Sequence, residues 1–500
     1  MTEKHGAASE ASGAWRGYAS RMKAFVDADA AVQRISEIYA TGISLMRTEV
    51  ARLLDGKPPA ADATTCRYPY LGMIVGANDL PVDARLSHGA VFDPGVYGTT
   101  LTRPDIFAEY YREQIGLLLK NHRVPVYVGV SERQMPLPFV IEDVMGQASE
   151  AQLREMTMRL PMPDLAEIDD DIANGTRRGV NGEPKPLSLF TAERVDFALA
   201  RLTHYTATSP RFFQRFILLT NYSRYVEEFR DIALAATAEG DEYSAFVEPG
   251  DAVTANPRFD GAAPPVPSLA YAPQMPAYHL VRPDGNGITL VNIGVGPSNA
   301  KTITDSLAVL RPHVWLMLGH CAGLRRTQSL GDYVLAHAYM RADHVLDDDL
   351  PPWVPVPPIA EVQIALQSAV ETITELSGAE LKSRMRVGTV ATTDNRNWEL
   401  RYQELAEKLN QARAIGVDME SATLAGNGFR FRVPYGTLLC VSDLPAHGVV
   451  KAKTVANSLY QRRIGQHLRI GIETIRLLRE QGVAQLHSRK LRSFDEPGFR

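Results

Sequence analysis

The sequence predicts two domains: an α+β domain, then an α/β domain built on a mixed, largely parallel sheet. Three observations carry this expectation. Five hundred residues exceed what one hydrophobic core usually holds. From Cys66 to about Leu160, short apolar runs such as Leu71–Val75 and Val126–Val130 alternate with turns. Beyond about residue 200, apolar runs alternate instead with helical segments, the pattern of strands joined by helices.

In chain order, Met1–Ala14 is small and polar and reads as a loose tail. Trp15–Leu54 carries helical periodicity with few breakers. Asp164–Pro186 is acidic, then rich in Gly, Asn and Pro, and marks the boundary between domains spanning 15–180 and 200–480. Asn256–Pro276, also rich in breakers, reads as a long loop inside the second domain. Strand-like runs follow at Phe216–Leu219, Ile288–Ile293, Val314–Leu318, Val387–Thr392, Ala414–Val417 and Thr437–Val441. Helical segments at Ala300–Leu310, Ile359–Leu376 and Trp398–Asn410 lie between several of them. If the strands are parallel, the loops after them gather on one edge.

Composition excludes several functions. An apolar share of 45%, a charged share of 22% and a net charge of −5 describe an ordinary globular enzyme with no polyanionic partner. Cys66, Cys321 and Cys440 are odd in number and widely spaced, which suggests neither a disulfide framework nor a zinc site. No apolar run reaches membrane-spanning length, and the polar start lacks a secretion signal, so a cytoplasmic location is expected. The spacing of His313, His320, His337 and His344 fits no common metal-ligand pattern.

The chemistry concentrates in Ala414–Ala422 (Ala-Ile-Gly-Val-Asp-Met-Glu-Ser-Ala) and Leu438–Asp443 (Leu-Leu-Cys-Val-Ser-Asp). They read as strand, helix and strand, with an acid just beyond each strand. A right-handed crossover between parallel strands brings both carboxyl ends to one edge, where open α/β sheets bind ligands. Glu420 and Asp443 are thereby expected across one pocket. Such a pair could hold a sugar diol and protonate a leaving group, with Met419 and Trp398 as apolar walls. Taken singly, both acids read equally as cap and turn residues, and Trp398 as core. The turn Gly294-Val295-Gly296-Pro297-Ser298 matches neither a dinucleotide fingerprint nor a P-loop, yet could aim backbone N–H groups at a ligand.

Val417–Ala422 and Val441–Asp443 resemble the sugar-binding and strand-end segments of the nucleoside phosphorylase and nucleosidase superfamily. The strings Trp315–Arg325 and Thr392–Arg401, with the large N-terminal domain, resemble the bacterial AMP nucleosidases over nearly the whole chain. The resemblance implies a phosphorylase-like second domain, hydrolysis of AMP to adenine and ribose 5-phosphate, and a homohexamer. It implies no cofactor, with ATP as activator and phosphate as inhibitor acting through a regulatory first domain. It also implies that Glu420 binds the ribose hydroxyls, Met419 lines the sugar, and Asp443 protonates N7 of the purine. Arg224 falls where phosphorylases place a phosphate-binding arginine, and Gly319, Cys321 and Ser442 fall in the strand-end segments; Trp398, by its own position at a strand end, reads as a base-stacking residue or as core. Met317 stands where phosphorylases carry another arginine, and His320 where they carry a serine. Both changes weaken an inorganic-phosphate site, as expected if water is the nucleophile. A purine nucleoside phosphorylase and an inactive nucleotide sensor are the alternatives.

Overall fold

A computed structural model describes residues 22–58, 66–81, 83, 86–141, 148–178, 183–259, 272–449, 457–486, 491–493 and 496–500. The tail Met1–Ala14, the start of the helical stretch at Trp15 and 260–271 of the expected long loop lie outside them. The chain divides into two compact units, one of residues 1–200 with 493–500, the other of 201–492.

The first unit is built on the helix Ala28–Leu54. Asp27 caps it, its carboxylate accepting the Ala30 N–H at 2.8 Å. Ala31, Ile35, Ile38, Gly42, Met46, Val50 and Leu53 form a buried stripe at helical spacing. A five-stranded sheet, in the order β1-β4-β2-β3-β5, comprises β1 (Lys23–Phe25), β2 (Arg67–Val75), β3 (Gly95–Thr100), β4 (Val126–Gln134) and β5 (Lys185–Pro186). The breaker-rich stretch 164–186 therefore lies within this unit, and its β5 pairs with β3. The chain's end returns here too, where the Phe499 N–H donates to the Leu187 carbonyl at 2.8 Å.

The second unit carries ten strands: β6 (Phe216–Thr220), β7 (Ala245–Glu248), β8 (Ala252–Ala255), β9 (Ala277–Val281), β10 (Ile288–Asn292), β11 (Val314–Gly323), β12 (Tyr333–Ala342), β13 (Met385–Thr393), β14 (Ala414–Asp418) and β15 (Tyr435–Asp443). Their order is β14-β13-β12-β15-β11-β6-β10-β9-β7-β8. β15, β11, β6 and β10 run parallel, as do β12, β13 and β14, and the two groups meet antiparallel at β12/β15. The sheet is mixed, as expected. β14 pairs back onto β11, so five strands close into a ring.

This closure corrects one step of the sequence reading. β14 and β15 are not parallel neighbours joined by a crossover: β14 runs antiparallel to β11, which runs parallel to β15. Their ends still meet, because Ala322 of β11 is the register partner of Val417 on one side and Asp443 on the other. Two further bounds differ. Gly319–Gly323 continues β11 as strand, with a register shift between Cys321 and Ala322, and Arg224 lies inside the helix Ser223–Glu239.

Candidate active site

Glu420 follows β14 in the tight link to the helix Ser421–Phe431. That link is locked by Asp418. One Asp418 oxygen accepts the Thr392 hydroxyl at 2.6 Å; the other accepts the Ser421 N–H at 2.9 Å and the Ser421 hydroxyl. The Ala422 N–H donates in turn to Thr392 Oγ1 at 2.9 Å. Asp418 thus caps the helix from inside the core and fixes the backbone that carries Glu420.

The Glu420 side chain is 1% exposed and held by two donors from other loops. Asn221 Nδ2, just past β6, donates to Oε2 at 3.0 Å, and the Gly296 N–H, past β10, donates to Oε1 at 2.7 Å. Gly294 and Gly296 have φ of 68° and 118°, a region that disfavours side chains, and this turns the Gly296 N–H towards the carboxylate. Burial pushes the Glu420 pKa well above the carboxylate range, and the neighbouring Asp418 charge adds to the rise; the two N–H donors oppose it. Burial raises the Asp418 pKa too, against the pull of its hydrogen-bond donors from Ser421, Thr392 and the Glu420 backbone.

Asp443 ends β15 and is 9% exposed. The Ser442 hydroxyl lies 2.5 Å from Asp443 Oδ1 and 3.3 Å from the Cys321 carbonyl oxygen, either of which can accept its proton. With Ala322 as common register partner, β11 is the bridge between the two acids.

The other expected residues fall as follows. Met419 is half-buried beside Glu420, and Arg224 is half-buried at the second position of the helix Ser223–Glu239. A Cβ on Gly319 would come within 3.5 Å of Asn221 Oδ1, a buried oxygen with no hydrogen-bond partner among the described residues. The same Cβ would meet Met317 Cε at 2.7 Å, so the glycine lets the Met317 side chain lie against the strand. Burial holds the Cys321 thiol protonated. His320 is buried edge-on to Tyr222, ring centres 4.5 Å apart. Trp398 packs in a hydrophobic cluster with Ala322, Ala391, Leu409, Ala414 and Val417. Two members of that cluster, Ala322 and Val417, are the strand-end residues next to the acids. Of the other arginines in strand-end loops, Arg325 is half-buried and Arg396 exposed.

Sequence reasoning missed the roles of Asn221, Gly296 and Thr392, the groups that fix Glu420. Gly296 lies within the glycine turn and Thr392 opens the string Thr392–Arg401, but a hydrogen bond spanning 199 residues, as from Asn221, leaves no local trace. Among the described residues, no three His, Cys, Asp or Glu side chains could share a metal ion, and no helix is long and apolar enough to cross a membrane.

The chain is similar to known proteins along both units. The family model "Bacterial AMP nucleoside phosphorylase N-terminus" matches residues 30–184, and "Phosphorylase superfamily" matches 273–468. An AMP nucleosidase of Escherichia coli K12 is 46% identical over 477 residues, covering 94% of this chain and 98% of that protein. A uridine phosphorylase of Thermococcus kodakarensis is 24% identical over 218 residues, covering 40% of this chain and 76% of that protein. The crystal structure of an AMP nucleosidase from Bacteroides thetaiotaomicron is 29% identical and covers 57% of this chain and 98% of that one, with a TM-score of 0.42.

Proposed function

The chain belongs to the AMP nucleosidase family, and we propose that it uses Glu420 and Asp443 to cleave the N-glycosidic bond of AMP with water. Adenine and ribose 5-phosphate are the products. The observation that carries the residue assignment is the Glu420 carboxylate, dry, fixed by Asn221 and Gly296, and linked through one strand to Asp443.

Breaking the bond between C1′ and N9 builds positive charge on the ribose and negative charge on the purine. Glu420 retains lone pairs for the 2′- and 3′-hydroxyls after accepting its two N–H bonds, and the ionised form that those donors favour against burial stabilises the cationic sugar. Asp443 gives a proton to N7 as the base departs, with the Ser442 hydroxyl orienting its carboxyl. Met419 lines the sugar beside Glu420. Arg224, in the first turn of a helix whose N-terminal dipole favours anions, is the candidate for the 5′-phosphate. Water supplies the oxygen that joins C1′. No step in this scheme calls for a metal or organic cofactor.

Met317 in the middle of β11 favours hydrolysis over phosphorolysis, because an apolar side chain stands where a phosphorylase needs a cation. The test is incubation with AMP, with and without inorganic phosphate, and identification of the sugar product. Ribose 5-phosphate formed without phosphate supports the reading. Strict phosphate dependence identifies a phosphorylase, and no product identifies a sensor. A cytoplasmic homohexamer, with ATP activating and phosphate inhibiting through the first unit, completes the proposal.

A further inference from the structure

A cavity of about 450 Å³ opens in the first unit, lined by the sheet residues Tyr70, Thr100 and Ser131 and by residues of 167–177 and 183–193. Its wall is strongly acidic. Arg133 pairs with Glu167 at 2.6 Å and also acts on Glu193, and Arg177 pairs with Glu183 at 3.5 Å, so the lining sets the acids Glu132, Glu167, Asp169, Asp171, Glu183 and Glu193 against these two cations. Glu193 stands apart from the rim acids because it is only 7% exposed. Its Oε2 accepts the Thr100 hydroxyl at 3.2 Å, while its Oε1 is buried with no hydrogen-bond partner. Position in the first turn of the helix Ala192–Thr206 explains an acid at this place, through the helix dipole. It does not explain a buried oxygen left without a donor.

We propose that this cavity binds a small organic diammonium ion, one ammonium on Glu193 Oε1 and the other among the rim carboxylates. The surplus of acids opposes a free phosphate or triphosphate. No three of these acids are placed to share a metal ion among the described residues, and the volume exceeds what a bare ion fills. An ammonium brings the N–H donors that Glu193 Oε1 lacks, while Tyr70 and the proline rings of Pro184 and Pro186 offer apolar surface to a methylene chain. Burial pushes the Glu193 carboxyl up, and a bound cation offsets that cost. The proposal is independent of the catalytic reading, since binding is measured without turnover.

The experiment is calorimetric titration of the full-length protein with putrescine at fixed ionic strength, with MgCl2 and ATP titrated in parallel. Single-site binding of putrescine is expected, weakened at least about tenfold by Glu193→Gln and about two- to fivefold by Asp171→Asn at the rim. AMP hydrolysis without effectors should be unchanged in both variants. Absence of saturable binding up to about 10 mM overturns the proposal. So does equal putrescine affinity in Glu193→Gln, or an ATP or MgCl2 signal that this variant abolishes. Should Glu193→Gln fail to fold, the double variant Glu132→Gln, Asp171→Asn decides: an unchanged putrescine affinity there overturns the assignment as well.

Discussion

Asn221 and Glu420, 199 residues apart in the chain, are joined by a hydrogen bond of 3.0 Å that fixes one oxygen of the buried carboxylate. The Gly296 N–H fixes the other. Removing Asn221 leaves the carboxylate free to turn about its remaining donor. Hydrogen bonds to charged groups contribute about 1.5–3 kcal/mol, so Asn221→Ala should lower kcat/KM roughly ten- to hundredfold. The same donor favours the ionised form of Glu420, so its loss should move the acid limb of the pH profile to higher pH. Asp418→Asn removes a negative charge that raises the Glu420 pKa and should move the limb the other way. Limbs that move in the same direction in both variants would contradict this account.

Asp443→Asn keeps the size of the acid and its contact with Ser442 but has no proton of suitable acidity to give. A loss in kcat of about a hundred- to ten-thousandfold is expected, the usual range for a general acid. Near-normal turnover on AMP would sink the assignment. Glu420→Gln should also cost heavily, and the loss should be smaller with 2′-deoxy-AMP, which lacks one of the hydroxyls in question. An equal loss with both substrates would remove Glu420 from the 2′-hydroxyl.

Trp398 tests the core against the pocket. Buried with Ala322, Leu409 and Val417, it behaves as a packing residue. Trp398→Ala should destabilise the protein by about 3–5 kcal/mol. At temperatures where the variant stays folded, KM for AMP should change little. A large rise in KM with an unchanged Tm would show instead that the ring stacks on the base.

The strand runs and the order of the acids were legible in the sequence because each depends on residues close in the chain. Val417–Glu420 and Val441–Asp443 announce strand ends whatever the topology. The relative direction of β14 and β15 was not legible, since it is set by pairing with β11, about a hundred residues upstream of either. β12 escaped because only its first four residues, Tyr333–Ala336, are buried, which leaves a short apolar signal. The return of 493–500 to the first unit was hidden too. Phe499 is 1% exposed, but its neighbours Pro497, Gly498 and Arg500 carry no strand or helix period.

Asp196 ties pH to stability in the first unit. It is buried beneath the Tyr68 hydroxyl at 2.7 Å and the Thr102 hydroxyl at 2.8 Å. Burial lifts its pKa from an ordinary 3.8 to about 7, more than these donors lower it. The folded protein therefore holds this proton more tightly than the unfolded chain. Its stabilising contribution is complete below the ordinary value and is lost as pH rises through about 7. Asp196→Asn preserves the shape without the ionisation. Its Tm should fall less than that of the parent protein between about pH 4 and pH 7. Equal slopes over that range would mean that Asp196 ionises normally.

Control by ATP is expected to run through the first unit. The first unit contributes none of the strand ends that hold Glu420 and Asp443, so effector and substrate sites are separable in the chain. A second hollow in this unit, about 650 Å³, is lined by Lys23, Arg34 and Arg67 against Glu37 and Glu132. Arg34 is paired with Glu37 at 3.1 Å, which leaves Lys23 and Arg67 as the cations best placed for a triphosphate. ATP bound there would favour a state with a better-formed catalytic site, and such coupling is reciprocal. Neutralising Lys23 and Arg67 together should raise the ATP concentration needed for activation about tenfold while leaving basal hydrolysis of AMP intact. An AMP analogue should tighten ATP binding by the same factor that ATP tightens the analogue. A truncation test must remove 493–500 together with 1–200, because both belong to the first unit. Undiminished activation by ATP in the chain 201–492 would place the effector site in the catalytic unit and refute the assignment.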